Sequence, residues 1–199
     1  FSFGTFGCNF RCAFCQNWDI SQFPKGNKDF EEFIEKTTEF WPPEKIVNYC
    51  LENKIPSIAY TYNEPTIFIE YALKTMILAR KNGIKNVFVS NGYQSNETIK
   101  EIAPYLDAIN IDLKSMSEKF YQKVCGAHLE PVLKNIKTFY QKGVWIELTT
   151  LIIPEENDSE KELKEIAQFI VQIDKNIPWH ISRFFPSYQM INYKETSIE

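Results

Sequence analysis

The strongest constraint on the fold is a regular alternation of short apolar runs with longer amphipathic segments. Runs rich in Val, Ile, Tyr, Phe and Thr are typical of buried strands, and five of them recur, at 57–62, 86–91, 108–113, 145–153 and 179–185. Residues 1–6 have the composition of a sixth strand. Because parallel neighbours need a crossover connection, usually a helix, this alternation predicts parallel β-α units.

Helices are predicted between these strands from the spacing of apolar residues. Apolar stripes at 132–140 and 163–171 repeat with the period of one buried helix face. Further helices are predicted at 66–82 and, after two prolines, at 44–53.

Residue types that favour helix ends support these limits. Ser159 and Glu162 have the spacing of a capping box, and Pro65 precedes the helix that begins at residue 66. Gly83 and Gly143 stand where helix C-caps are expected.

Six strands with a helix in each of the five connections between them fit either an open doubly wound sheet or a partial barrel. In both architectures ligands bind at the carboxyl ends of the parallel strands. The polar residues that follow the first four predicted strands are therefore expected at one rim: Cys8, Cys12 and Cys15, then Asn63 and Glu64, Ser90 and Asn91, and Asp112 and Lys114.

Composition limits the function classes. Hydrophobic residues make up 44% and charged residues 24% of 199 positions, as in ordinary globular domains. The net charge of −4 gives no basic field for nucleic acid or an anionic membrane, and no apolar run approaches the roughly 18 residues of a membrane span. We expect residues 1–199 to form one domain and to lie in the cytoplasm. Because the sequence begins with Phe1 and not with Met, we also expect this domain to be the core of a longer protein.

Three of the five cysteines lie within eight positions, with the spacing C-x3-C-x2-C. An odd, small number of cysteines argues against a secreted disulfide scaffold and favours metal binding or chemistry in a reducing compartment. A structural zinc site requires a fourth ligand, and neither His128 nor His180 is an obvious candidate. A [4Fe–4S] cluster ordinarily takes four cysteines, so three would leave one iron open to a substrate or cofactor. We interpret Cys50 and Cys125 as buried small hydrophobes.

The stretch CNFRCAFC at 8–15 resembles the cysteine signature of the radical S-adenosylmethionine (SAM) superfamily, with Phe14 in its aromatic position. The resemblance implies a partial (β/α)6 TIM-like barrel and a [4Fe–4S] cluster on Cys8, Cys12 and Cys15. It also implies that the fourth iron is chelated by SAM. Reductive cleavage of SAM would then give a 5′-deoxyadenosyl radical that abstracts a hydrogen from the substrate.

Other segments resemble the same family and imply its SAM contacts. YTYNEP at 60–65 is similar to the family's Gly-Gly-Glu-Pro loop, SNG at 90–92 to Thr-Asn-Gly, and DLK at 112–114 to Asp-Leu-Lys. The residues implied as cofactor-binding are Phe14, Tyr62, Glu64, Ser90, Asn91, Asp112, Lys114 and Tyr188. By the same match, Glu64 would face the amino group of SAM, and Lys114 its carboxylate.

Within the superfamily the chain most resembles the activase-like branch that occurs with Memo-type and AMMECR-type proteins, which would make such proteins its partners. The resemblance also implies a reductant such as flavodoxin or ferredoxin, and a small-molecule or protein substrate. Tyr188, Val89 and Glu147 depart from pyruvate formate-lyase activases, which often carry His, Asp and Arg at those places.

Three functions therefore remain open from the sequence. The first is a radical SAM enzyme acting on an unidentified substrate, and the second is a true activase of a glycyl-radical enzyme. The third is a non-catalytic metal-binding or electron-transfer module, which would have no use for the polar residues Glu64 and Asp112 at the rim.

Overall fold

The computed structural model describes residues 1–25 and 29–198, without the side chain of Thr37. Its strands are β1 Ser2–Phe3, β2 Ser57–Tyr60, β3 Lys85–Ser90, β4 Ala108–Asp112, β5 Trp145–Ile152 and β6 Trp179–Arg183. All six predicted strands are thus confirmed. They form one sheet in the order β1-β2-β3-β4-β5-β6, and every neighbouring pair is parallel.

This strand order decides between the two predicted architectures. A doubly wound sheet has a point where the strand order reverses, whereas here each strand lies beside its sequence neighbours throughout. The fold is the open, partial barrel of six parallel strands. Among the described residues β1 and β6 do not pair, so the barrel is not closed.

Eight α-helices accompany the strands in the described part of the chain. They are α1 Trp18–Ser21, α2 Phe30–Thr37, α3 Pro43–Glu52, α4 Ile69–Lys81, α5 Asn96–Ile102, α6 Glu118–Phe120, α7 Leu129–Gln141 and α8 Glu160–Ile173. A 3₁₀ turn, Pro65–Phe68, leads into α4, and a π-helical turn, Tyr121–Cys125, continues α6. The predicted helices correspond to α3, α4, α7 and α8.

The expected helix ends are confirmed with two corrections. The helix predicted from residue 66 begins as α4 only at Ile69, because Pro65–Phe68 forms a 3₁₀ turn, and the second correction concerns Glu162. Gly83 and Gly143 follow α4 and α7 with φ of +75°, a conformation that glycine adopts without strain. The Ser159 hydroxyl accepts from the Glu162 amide at 3.2 Å, as a capping box requires. The Glu162 carboxylate, however, accepts from the Ser115 hydroxyl and the Met116 amide, 46 or more residues away. Tertiary partners have therefore replaced the local half of the capping box.

The two faces of the sheet have different environments. Residues of β3, β4 and β5 alternate strictly between buried and partly exposed or exposed positions, as period-2 strands do. The helices cover one face, where Phe88, Ile109, Ile111 and Leu148 are fully buried. The opposite, concave face stays open, and at its carboxyl rim lies the candidate site.

No helix in the described residues is both long and apolar enough to cross a membrane.

Candidate functional site

A cavity of about 300 Å³ opens at the carboxyl ends of the strands, within the range of small-molecule sites. All three clustered cysteines line it, and so do the polar residues that follow β2, β3 and β4. The predicted site residues on its wall are Cys8, Cys12, Phe14, Cys15, Tyr62, Asn63, Glu64, Ser90, Asn91, Asp112 and Lys114. The topology therefore brings together at one rim groups that are up to 106 positions apart, counted from Cys8 to Lys114.

Tyr188 lies elsewhere, stacked on Trp18 with ring centroids 5.6 Å apart, and it does not belong to the cavity wall. The residues on either side of Tyr188 attach this C-terminal segment to the loop of residues 8–15 that carries the three cysteines, the cysteine loop. The Gln189 amide donates to the Ala13 carbonyl at 3.0 Å, and the Ser187 hydroxyl to the Cys15 carbonyl at 3.3 Å. Tyr188 itself has φ of +50°, which is uncommon for a bulky residue.

The cysteine loop is held by backbone hydrogen bonds to the π-helical turn. The Arg11 amide donates to the Cys125 carbonyl at 2.8 Å, and the Ala13 amide to the Val124 carbonyl at 2.9 Å. These bonds flank Cys12 and bring it against Cys125, which is fully buried. The expectation that Cys125 is buried is confirmed, but its place beside a clustered cysteine was not anticipated.

Each clustered cysteine is at least partly buried, and this affects its protonation. Burial raises the pKa of Cys8 to about 12. A hydrogen bond with Cys125, together with burial, raises the pKa of Cys12 well above its usual value. Burial also raises the pKa of Cys15, against the lowering effect of Ser21. In the metal-free chain these groups are thiols, so metal binding would release protons.

Glu64 is the most completely bonded charged side chain of the cavity, at 2% exposure. Its Oε1 accepts from the Thr66 amide at 3.0 Å, the Thr66 hydroxyl at 2.6 Å and the Ser90 hydroxyl at 2.8 Å. Its Oε2 accepts from the Asn91 amide at 2.8 Å. Burial raises the pKa of Glu64, opposed by these four hydrogen bonds. Glu64 thus caps the turn that leads into α4 and also links the ends of β2 and β3.

Asp112 and Lys114 form an ion pair in the wall of the same cavity, with Nζ 3.0 Å from Oδ2. Leu113, between them, is fully buried and faces away. The ammonium group of Lys114 also lies 5.5 Å from the centroid of the Phe14 ring. Although burial disfavours its charge, the Asp112 carboxylate raises the pKa of Lys114 well above its usual value. The cavity therefore keeps one cation beside the cysteine loop.

Sequence patterns missed several polar contacts at this rim. The side-chain amide nitrogen of Asn91 donates to Asn9 Oδ1 at 2.7 Å and to the Cys8 sulfur at 3.8 Å. The Ser21 hydroxyl lies 3.1 Å from the Cys15 sulfur. Asn9 and Ser21 lie in or directly after the loop of the signature, but no motif distinguishes them from other polar residues.

The donor set fits an iron–sulfur cluster better than a single ion. Among the described residues, no group of three or more His, Cys, Asp or Glu side chains is arranged around one metal position. A [4Fe–4S] cluster takes its thiolates on different irons, so its ligands need not converge on one point. Three thiols in the wall of one cavity, each with a hydrogen-bonding neighbour, match that requirement.

Comparison with known proteins gives the same assignment. A family model described as "Radical SAM superfamily" matches residues 3–170. An uncharacterized protein of Methanocaldococcus jannaschii is 42% identical over 97% of this chain and 55% of its own length. The pyruvate formate-lyase-activating enzyme of Clostridium pasteurianum is 23% identical over 97% of this chain and 81% of its own.

The fold is also found in solved structures. SuiB of Streptococcus suis superposes with a TM-score of 0.72 at 15% identity, covering 98% of this chain and 42% of SuiB. SuiB has been solved with bound S-adenosylmethionine as well. The chain spans about half the length of the M. jannaschii protein and less than half of SuiB.

Proposed function

The chain belongs to the radical SAM superfamily, and from this premise we propose that it is the catalytic core of an enzyme that cleaves SAM reductively. Superfamily members are enzymes that use a [4Fe–4S] cluster and SAM. In this chain Cys8, Cys12 and Cys15 would hold the cluster. When bound, the cluster supplies one electron to SAM, which yields methionine and a 5′-deoxyadenosyl radical for hydrogen abstraction.

One observation carries the proposal: the three thiols line the same cavity as a buried carboxylate and an ammonium group whose side chain is only 12% exposed. SAM carries an amino group and a carboxylate on its methionine part, and these need opposite charges nearby. A non-catalytic metal module would need only the thiols. It would not account for Glu64 and Lys114 in the wall of their cavity.

Glu64 is suited to the amino group of SAM by its unused hydrogen-bonding capacity. An ionised carboxylate offers about four lone-pair sites, two on each oxygen. Three hydrogen bonds share the two sites of Oε1 and leave it no further capacity, whereas Oε2 accepts only that of the Asn91 amide and keeps one site free. We assign the free position of Oε2 to the SAM ammonium. Ser90 and Asn91 would contribute by fixing this carboxylate.

Lys114 is suited to the carboxylate of SAM, as Asp112 holds its ammonium group in place at 3.0 Å. Phe14 and Tyr62 would line the adenosine side of the cavity, to whose wall both belong. Tyr188, which lies outside the cavity wall, is given no contact with SAM. These roles together give SAM one orientation and keep water from the reacting carbon.

Glycyl-radical activation is the second candidate, supported by similarity to a pyruvate formate-lyase-activating enzyme along nearly the whole chain. Its substrate would be a backbone glycine of a partner protein. The departures at Val89, Glu147 and Tyr188 favour a different substrate. A flavodoxin or ferredoxin reductant and Memo-type or AMMECR-type partners stay predictions.

The test is anaerobic reconstitution with iron and sulfide, followed by dithionite and SAM, with 5′-deoxyadenosine as the measured product. Wild type should form it, and Cys12→Ala should form none. Cys50→Ala is the matched control, because Cys50 is equally buried but lies on α3 away from the cavity. Zinc in place of a cluster, or product from Cys12→Ala, would contradict the proposal.

A further inference from the structure

One of the three clustered thiols, that of Cys15, lies within hydrogen-bonding distance of a serine hydroxyl that follows it closely in the sequence. The Ser21 oxygen lies 3.1 Å from the Cys15 sulfur. Ser21 ends the short helix α1, directly after the cysteine loop, and is only 2% exposed. A hydroxyl buried there has few partners to choose from, so the direction of its single proton can be worked out.

Neighbouring groups fix that direction. The Gln22 amide nitrogen donates to the Ser21 oxygen at 3.1 Å and to the Phe10 carbonyl at 3.3 Å. The Gln22 carbonyl oxygen accepts from the Lys25 ammonium at 3.0 Å. Since a carbonyl oxygen and an ammonium hold opposite ends of the Gln22 amide, its orientation is determined. Ser21 therefore accepts from Gln22 and directs its own proton toward Cys15.

A chain of hydrogen bonds thus runs from the Lys25 ammonium through Gln22 and Ser21 to the Cys15 sulfur. Each donor in such a chain is polarised by the one before it, and a cation at the far end strengthens the last bond. The other thiols lack this arrangement. Cys8 accepts from the Phe10 amide at 3.4 Å and from Asn91 at 3.8 Å, and Cys12 lies beside the Cys125 thiol.

We propose that Ser21 is a positioning residue that raises the reduction potential of the cluster by donating a hydrogen bond to the Cys15 thiolate, with Gln22 and Lys25 polarising that bond. The proposal rests on the proposed function, because it needs a cluster on Cys15. Reduction adds negative charge to the cluster and its thiolates, so a donor stabilises the reduced form more than the oxidised one. The hydroxyl would make the electron for SAM cleavage easier to supply.

The measurement is the midpoint potential of the reconstituted cluster, followed by electron paramagnetic resonance during a reductive titration. Ser21→Ala should hold as much iron as wild type but show a potential shifted to more negative values. Ser21→Thr retains the hydroxyl, so its midpoint potential should stay close to that of wild type. Gln22→Leu keeps the Ser21 hydroxyl but removes its polarising partner, together with the bond to the Phe10 carbonyl, and should shift the potential in the same direction by a smaller amount.

A matched control is Ser95→Ala, which removes a serine hydroxyl at the start of α5, outside the cavity wall, and should leave the potential unchanged. Equal potentials for wild type and Ser21→Ala, at equal iron content, would overturn the inference while leaving the proposed function intact. If Ser21→Ala loses iron, an unshifted Gln22→Leu would overturn it and a shifted one would support it. A wild type that assembles no cluster would refute the proposed function itself.

Discussion

The two faces of the sheet are built from the same strands yet serve different purposes. On β4, Ile109 and Ile111 face the helices and are fully buried, whereas Asn110 and Asp112 face the open concave side. β5 repeats the pattern with the buried Ile146 and Leu148 against Glu147 and Thr149. The helix-covered face carries the apolar burial that stabilises the fold. The concave face carries polar side chains that the fold does not need for its core.

Because adjacent residues of a strand point to opposite faces of the sheet, one residue can stabilise the core while its neighbour lines the site. Where one face holds the fold, residues on the other face can be substituted with little effect on the core. The separation can be tested by substitutions on each face.

Adjacent residues of β5 provide the largest expected contrast. Leu148→Ala removes a fully buried side chain from the core face and should lower the free energy of unfolding by about 2–5 kcal/mol. Thr149→Ala removes one hydrogen bond, 2.8 Å to Asn110 Oδ1, and should cost about 0.5–1.5 kcal/mol. Urea unfolding of both variants measures the difference. Equal losses would show that the concave face also holds the fold.

Glu64 is expected to break the division, since it lines the cavity and also joins two strands. In Glu64→Gln an amide NH₂ replaces one carboxylate oxygen and faces donors, either the Asn91 amide or the Thr66 and Ser90 groups. The relief of a buried charge offsets part of this clash. We expect a net loss of about 1–3 kcal/mol in unfolding free energy, together with weaker SAM binding.

Glu101→Gln, on the exposed surface of α5, is the control for Glu64→Gln and should leave both quantities unchanged. If Glu64→Gln weakened SAM binding without any loss of stability, Glu64 would belong to the site alone.

Sequence reasoning was accurate where one local pattern determines the result. The six strands, the rim and the ends of α4 and α7 follow from runs of apolar residues, from the rule for parallel strands and from glycines. It failed to anticipate α2, whose eight residues Phe30–Thr37 form a short, largely exposed helix. The π-helical turn Tyr121–Cys125 was also missed, because its pairing with the cysteine loop is tertiary.

The same limit applies to the site. The types of residue at the rim were predicted, but their partners were not. Glu162 shows the reason: its spacing from Ser159 favours a local bond, yet its carboxylate binds Ser115 and Met116 across the fold. Which of two hydrogen bonds forms depends on distances that only the folded chain sets.

A smaller effect is expected at the start of α8, in the helical layer outside the sheet. Ser159→Ala removes the hydroxyl that accepts from the Glu162 amide at 3.2 Å. Loss of an N-cap should lower the unfolding free energy by about 1 kcal/mol. SAM binding should not change, because Ser159 does not line the cavity. Calorimetric titration with SAM beside urea unfolding would check both, and weaker SAM binding would mean that α8 supports the rim.

The smallest expected effect concerns pH and lies on the concave face. The Glu147 carboxylate lies 2.8 Å from His180 Nε2 and accepts from the Trp145 indole at 3.2 Å. The hydrogen bond with His180, and after it that with Trp145, lowers the pKa of Glu147. A carboxylate with a depressed folded-state pKa stabilises the protein above its unfolded pKa of about 4.3, and that stabilisation is lost as pH falls through the folded-state value.

Both partners are partly exposed, with 36% of the Glu147 and 53% of the His180 side chain accessible, so solvent screening limits the contribution to less than about 1 kcal/mol. Urea unfolding of wild type and Glu147→Gln should therefore differ slightly at pH 6, and the difference should vanish well below the folded-state pKa. A difference that persists unchanged in acid would mean that Glu147 acts through packing. In that case the concave face would contribute to stability as the helix-covered face does, and the separation of the two faces would be incomplete.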